Sequence, residues 1–193
     1  MKKILRLLAL VAVLSALSGV AEADPLAFTA TLTGAQEVPP NSSPGIGFAL
    51  VTVDGNMMTV NVTFSGLISP TTVSHIHCCV PPGVNAMVAT TTPTFPGFPA
   101  GVTSGMYMQT FDLTLASTYN PAFITAQGGT VAQAQAAFLA GLLSGQTYFN
   151  IHTTMFPGGE IRGQLVPEPT TLVLLGTGLA GAIASVRRRR RRS

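Results

Sequence analysis

From Met57 to Phe64 the chain alternates without a break: Met58, Val60, Val62 and Phe64 fall to one side, and Met57, Thr59, Asn61 and Thr63 to the other. A strand sends successive side chains to opposite faces, whereas a helix repeats its apolar stripe every three to four residues, so this stretch is a half-buried β-strand. Asp54-Gly55 just before it is a tight hairpin turn of the primed type, and Phe48 to Val53 is the strand that the turn folds back. β-like patterning recurs at Phe28 to Thr33, Val73 to Cys78, Ala86 to Thr91, Phe111 to Leu115, Tyr148 to Thr154 and Glu160 to Leu165. Gly34 to Gly47 is turn-rich. Thr92 to Gly105, broken by Pro, Gly, Thr and Phe, reads as an excursion lying over the sheet. Thr130 to Leu143 is rich in alanine and glutamine, with Thr130 as N-cap and Gly145 just past the end, and reads as the one helix. Short strands with turn signals between them and a single short helix give an all-β fold, an antiparallel sandwich or barrel of Greek-key type.

The last hairpin gathers polarity. Pro157-Gly158-Gly159 turns the chain between two period-2 segments. Tyr148, Asn150, His152 and Thr154 share one face, opposite Phe149 and Ile151; after the turn Glu160, Arg162 and Gln164 share a face opposite Ile161 and Leu165. His75 and His77, two apart, project together, with Ile76 behind them. With Ile76 and Ile151 toward the core, all three imidazoles fall on an outer polar face beneath the 92–105 excursion, together with Asn150, Glu160 and Arg162. Three histidines that converge are what copper or zinc needs. The alternatives are a hydrogen-bonded polar network that locks two strands together, and acid–base chemistry. Glu160 and Arg162 are expected to pair with each other, or with Glu37 and Asp112, as a structural ion pair.

Directly after His77 stand the only two cysteines, Cys78 and Cys79. Cys78 points away from His75 and His77 along an extended strand. Three outcomes are open for an exported chain: a vicinal disulfide, an intermolecular bridge, or two thiols with Cys79 near a metal, the first of which would make a redox pair. No nucleophile elbow, paired-carboxylate spacing or phosphate-cradling glycine loop is present, so no catalytic or organic-cofactor residues are assigned and the balance leans away from an enzyme.

A formal charge of +3 and a pI near 9.2 suggest nucleic acid until the charges are located. Lys2, Lys3 and Arg6 precede an apolar run, Leu7 to Val20, that closes on Ala21-Glu22-Ala23. Residues 1–23 therefore read as a secretory signal peptide forming a signal helix. At the other end Thr170 to Val186 is free of charge and is followed by arginines from Arg187 to Arg192. As a transmembrane-type helix, residues 170–186 span about 26 Å against a hydrocarbon core of about 30 Å, and the arginines, Arg187 and Arg188 foremost, fix the tail in the cytoplasm. Between the ends, residues 24–166 carry Asp24, Glu37, Asp54, Asp112 and Glu160 against Arg162 alone, with no lysine. Phosphate contacts need clustered Lys or Arg, so nucleic acid is excluded as a partner.

Pro167-Glu168-Pro169, an apolar helix and terminal arginines, in that order over residues 167–193, resemble the PEP-CTERM sorting signal of Gram-negative exported proteins. The resemblance implies recognition and removal of the tail by a membrane transpeptidase of the exosortase type. The precursor would be membrane-anchored across the inner membrane, and the product would lie at the cell surface or outside the cell. Leu32-Thr-Gly-Ala-Gln-Glu-Val-Pro-Pro40, His75-Ile-His77, Gly145 to Thr153 and Pro157 to Leu165 together resemble a CHRD domain, the module first described in chordin. That resemblance covers nearly all of residues 26–166, within a CHRD domain placed at 24–166, and implies an extracellular β-rich module, acting by binding a protein or polysaccharide ligand or by structural association. Cys78-Cys79-Val80-Pro81-Pro82 stands where the family usually has small residues. The His-x-His strand is also similar to that of copper–zinc superoxide dismutases.

Overall fold

A computed structural model describes residues 25–168. The expected signal helix, the tail helix and the terminal arginines lie outside the described residues. Among the described residues no helix is long and apolar enough to cross a membrane.

The strands are β1 (Leu26–Thr33), β2 (Ile46–Asp54), β3 (Met57–Ser65), β4 (Thr71–Cys78), β5 (Met87–Val88), β6 (Gly105–Asp112), β7 (Thr147–Thr153), β8 (Ile161–Gln164) and β9 (Val166–Pro167). They form one antiparallel sheet in the order β5-β4-β7-β8-β1-β2-β3-β6, with β9 paired to β1. The β2–β3 hairpin turns at Gly55, whose φ of +55° is a left-handed conformation that glycine adopts without steric cost. The sheet curls around an apolar core containing Phe28, Leu32, Val51, Val60, Ile76, Phe149 and Ile151, each almost fully buried. Burying a side chain of this kind contributes about 1.5–3 kcal/mol, which sets the register: a one-residue slip would expose the whole row.

Helix α1 (Pro121–Ala126) and helix α2 (Val131–Leu143) cover one side of the core. Thr130 caps α2 through its side chain, as its sequence indicates. The shorter α1 is an addition to the sequence reading; Asn120 accepts from the Ala122 N–H and Pro121 opens the first turn, a start signal that a six-residue helix leaves without a periodic stripe behind it. Two other boundaries move. The strand expected at Phe111 to Leu115 runs instead from Gly105 to Asp112, because β6 pairs with β3 along its whole length. Its outward positions are the exposed Met106 and Met108, which hid the alternation. The strand expected at Ala86 to Thr91 is reduced to Met87–Val88.

The 92–105 excursion runs along the open edge of β4. The Phe95 N–H donates to Ser74 O, Gly101 N–H to Thr71 O, and Thr71 N–H to Val102 O. Lying at an edge, the loop reaches both faces of the sheet: Phe95 enters the apolar core, and Pro93 turns its carbonyl to the other side.

A buried three-histidine chamber

β4 and β7 are neighbours, with His75 opposite Asn150 and His77 opposite Tyr148. Ile76, Phe149 and Ile151 go into the core, so His75, His77, Tyr148, Asn150 and His152 are left on the opposite face. β8 adds Arg162 opposite Asn150. This face carries the expected residues other than Glu160, but it is not open to solvent: the three histidines are 6 to 8 % exposed. The covering is the segment around Ala86, the excursion at Pro93 and the turn at Pro157.

Each covering segment supplies one carbonyl. His75 Nε2 meets Pro93 O at 2.6 Å, His77 Nδ1 meets Ala86 O at 2.9 Å, and His152 Nδ1 meets Pro157 O at 2.9 Å. A carbonyl oxygen only accepts, so each of these nitrogens carries a hydrogen and donates it. The tautomers follow: in the neutral rings His75 Nδ1, His77 Nε2 and His152 Nε2 bear lone pairs. All three of these atoms are buried and meet no hydrogen-bond partner. One ring nitrogen from each histidine lies within 4.8 Å of one from each of the others. Ring centroids are 5.4 to 6.0 Å apart.

Charge state agrees with this. Burial pushes His77 down to about 4, a shift that its carbonyl contact opposes and that His152, His75 and Arg162 reinforce. His75 and His152 are lowered as well, chiefly by burial. At neutral pH the rings are neutral, the form that ligates metals.

A second layer backs the first. Tyr148 stacks on His77 with centroids 4.6 Å apart and planes 7° from parallel, and the Arg162 guanidinium lies 4.4 Å from the Tyr148 centroid. Tyr148 also accepts from the Ala86 N–H at 3.1 Å, which steadies the peptide whose carbonyl orients His77. Tyr148 was not among the expected site residues. Tyr148 was legible from its face, two residues before Asn150, whereas the carbonyls carry no side-chain signal.

The expected Glu160–Arg162 ion pair does not form. Arg162 donates from Nε to Gln36 O at 2.6 Å and from Nη1 to Asn85 Oδ1 at 2.8 Å. Glu160, with no exposed surface, accepts from Ser43 Oγ, from the Ile68 N–H and from Thr153 Oγ at 2.6 to 2.7 Å. Three donors already satisfy that carboxylate, so it ties loops together and does not join the histidines. Asp112 is also elsewhere, accepting from Thr114. Glu37 is buried near Arg162 and burial raises it to about 7, against the lowering effect of Arg162. Its Oε1 and Asn150 Oδ1 are both buried without partners. A Cβ on Gly159 would stand 2.6 to 2.7 Å from both oxygens.

Cys78 and Cys79 are joined in a disulfide, the vicinal outcome of the three. Cys78 belongs to the apolar core and both sulfurs pack against Gly141 of α2, so no thiol faces the imidazoles.

The CHRD domain profile matches residues 28–165, and the PEP-CTERM protein-sorting motif matches residues 165–191. The sorting motif marks an exported chain with a membrane-anchored precursor that is processed by an exosortase at its C-terminus. No curated protein and no solved structure matches the chain.

Proposed function

Because the chain belongs to the CHRD domain family and carries an exosortase sorting motif, we propose that it is a metal-binding protein of the cell surface or extracellular matrix, holding copper or zinc through His75, His77 and His152. The observations that support this reading are three buried, unpartnered ring nitrogens whose tautomers are set by three separate backbone carbonyls, and the approach of the three rings to within 4.8 Å through one nitrogen each. Three acceptors gathered in one buried chamber repel each other, and a cation relieves that. Donation of the second ring nitrogen to a carbonyl is also how metal-ligating histidines are commonly oriented.

The distances suit an ion. Three points within 4.8 Å of one another share a centre no more than about 2.8 Å from each, against a metal–nitrogen bond of about 2.0–2.1 Å. Closing that gap takes less than an ångström per ring. A polar network that merely locks strands together would leave these nitrogens hydrogen-bonded to each other or to donors, and they are not.

Elemental analysis of the purified full-length protein tests the reading. The expected result is one copper or zinc per chain, lost in His77→Ala. Absence of stoichiometric metal after exposure to both ions would refute it.

A second reading, association with an extracellular polysaccharide or protein, draws on the outer face of β2, β3 and β6. Ile46, Phe48, Met106 and Met108 are each about half exposed or more there, among uncharged polar residues. Retention of the exported protein in the cell matrix should fall in Phe48→Ser combined with Met106→Ser; unchanged retention would remove this reading.

A further inference from the structure

This inference rests on the metal reading above and specifies its cargo: the geometry points to monovalent copper, Cu(I), as the ion that the three-histidine chamber selects over Zn(II) and Cu(II).

Charge favours the monovalent ion. The ligand set is three neutral imidazoles, and no carboxylate or thiolate joins it among the described residues. Glu160 is saturated by three donors, and both cysteines are consumed in a disulfide packed on α2. Asn150 Oδ1, the other bare oxygen on the β7 face, belongs to a neutral amide and leaves the charge count unchanged. A divalent ion would keep both its charges, a monovalent ion only one.

Burial sharpens the difference. The cost of taking an ion out of water rises with the square of its charge, so a dication pays roughly four times what a monocation does in the same chamber. Ligand anions usually offset this for zinc and cupric ions, and here none is available.

Arg162 adds to it. Its guanidinium lies 4.4 Å from the Tyr148 ring, which in turn stacks 4.6 Å from the His77 ring, so a fixed positive charge stands close behind a ligand. Its repulsion of a bound ion doubles from Cu(I) to a dication. Glu37, the carboxyl that Arg162 influences, is raised to about 7 and is therefore only partly ionised at neutral pH, so it offsets the guanidinium incompletely.

Coordination number points the same way. Zinc sites of three protein ligands are completed to four, and Cu(II) prefers a tetragonal set, whereas three nitrogens around one point satisfy a trigonal ion.

The test is an anaerobic titration of the full-length protein in detergent with Cu(I), Cu(II) and Zn(II) separately, each against a chromophoric chelator of known affinity. We expect one Cu(I) per chain, bound at least about 100-fold more tightly than Zn(II), as a single unneutralised buried charge implies. Arg162→Gln should tighten Zn(II) more than Cu(I) and narrow that ratio. Should that variant fail to fold, the wild-type ratio decides alone. Zn(II) or Cu(II) bound as tightly as Cu(I) would overturn the inference while leaving a metal site intact; no binding of any of the three would overturn the metal reading with it.

Discussion

Removing the Glu160 carboxylate should destabilise the fold, because donors from three separate segments meet on it. The carboxylate has no exposed surface and accepts from Ser43 Oγ at 2.6 Å, from the Ile68 N–H at 2.6 Å and from Thr153 Oγ at 2.7 Å. A hydrogen bond to an ionised acceptor contributes about 1.5–3 kcal/mol, and a buried donor left orphaned costs about 1–3 kcal/mol. Glu160→Ala removes three hydrogen bonds to that acceptor and orphans the fully buried Thr153 hydroxyl, whereas Ser43 and Ile68 are near enough to the surface for water to replace part of what they lose. The expected loss is about 3–5 kcal/mol, a large share of the 5–15 kcal/mol typical of a domain. At about 2.1 cal/mol/K per residue over a domain of this size, that lowers Tm by about 10–15 °C. Chemical denaturation should show a lower midpoint with an unchanged slope. Metal stoichiometry, measured well below the new Tm, should stay at the wild-type value, because Glu160 does not touch the imidazoles. A loss under about 1 kcal/mol, or a folded variant that no longer binds metal, would refute the assignment of Glu160 to loop stitching.

Burial raises Glu37 from 4.5 to about 7, so the folded state holds its proton more tightly and stability from this group falls as pH rises from about 4.5 to 7. The lowered histidines act oppositely, losing stability as pH falls below 6.5; subtracting wild type from Glu37→Gln isolates the carboxyl, and the variant's relative stability should grow from pH 5 to pH 8. Gly159→Ala places a Cβ against Glu37 Oε1 and Asn150 at a φ of +130°, and denaturation should report a loss of about 2–4 kcal/mol. Replacing Arg187 to Arg192 by neutral residues should leave the precursor poorly retained in the membrane and its tail unprocessed, as fractionation and immunoblotting would show.

What the sequence made legible is what period-2 alternation controls. Ile76, Phe149 and Ile151 faced the core because their neighbours were polar, and that alone put His75, His77, Asn150 and His152 on one face. The strand order was not legible, and it is what brings β4 beside β7 and so joins His75 and His77 to His152. Burial was legible only in part: the 92–105 excursion, which supplies Pro93, was expected over the face, whereas the rest of the roof comes from irregular segments at Ala86 and Pro157 and acts through carbonyls that every residue type has. Glu160 precedes β8, and its side chain follows the local turn to donors near Ile68 and Ser43 that are distant in sequence, so alternation misassigned it. The β6 error has a simple source as well, since methionines on a solvent face look like a core-facing row.

Long-range ¹H–¹⁵N NMR of the imidazoles reads directly whether the three histidines hold fixed tautomers and take up one ion together. Before metal is added, hydrogens are expected on His75 Nε2, His77 Nδ1 and His152 Nδ1. On adding diamagnetic Cu(I), the opposite nitrogen of all three rings should shift together and saturate at one equivalent. Different tautomers in the metal-free protein, or nitrogen resonances that ignore the ion, would contradict the three-histidine metal site.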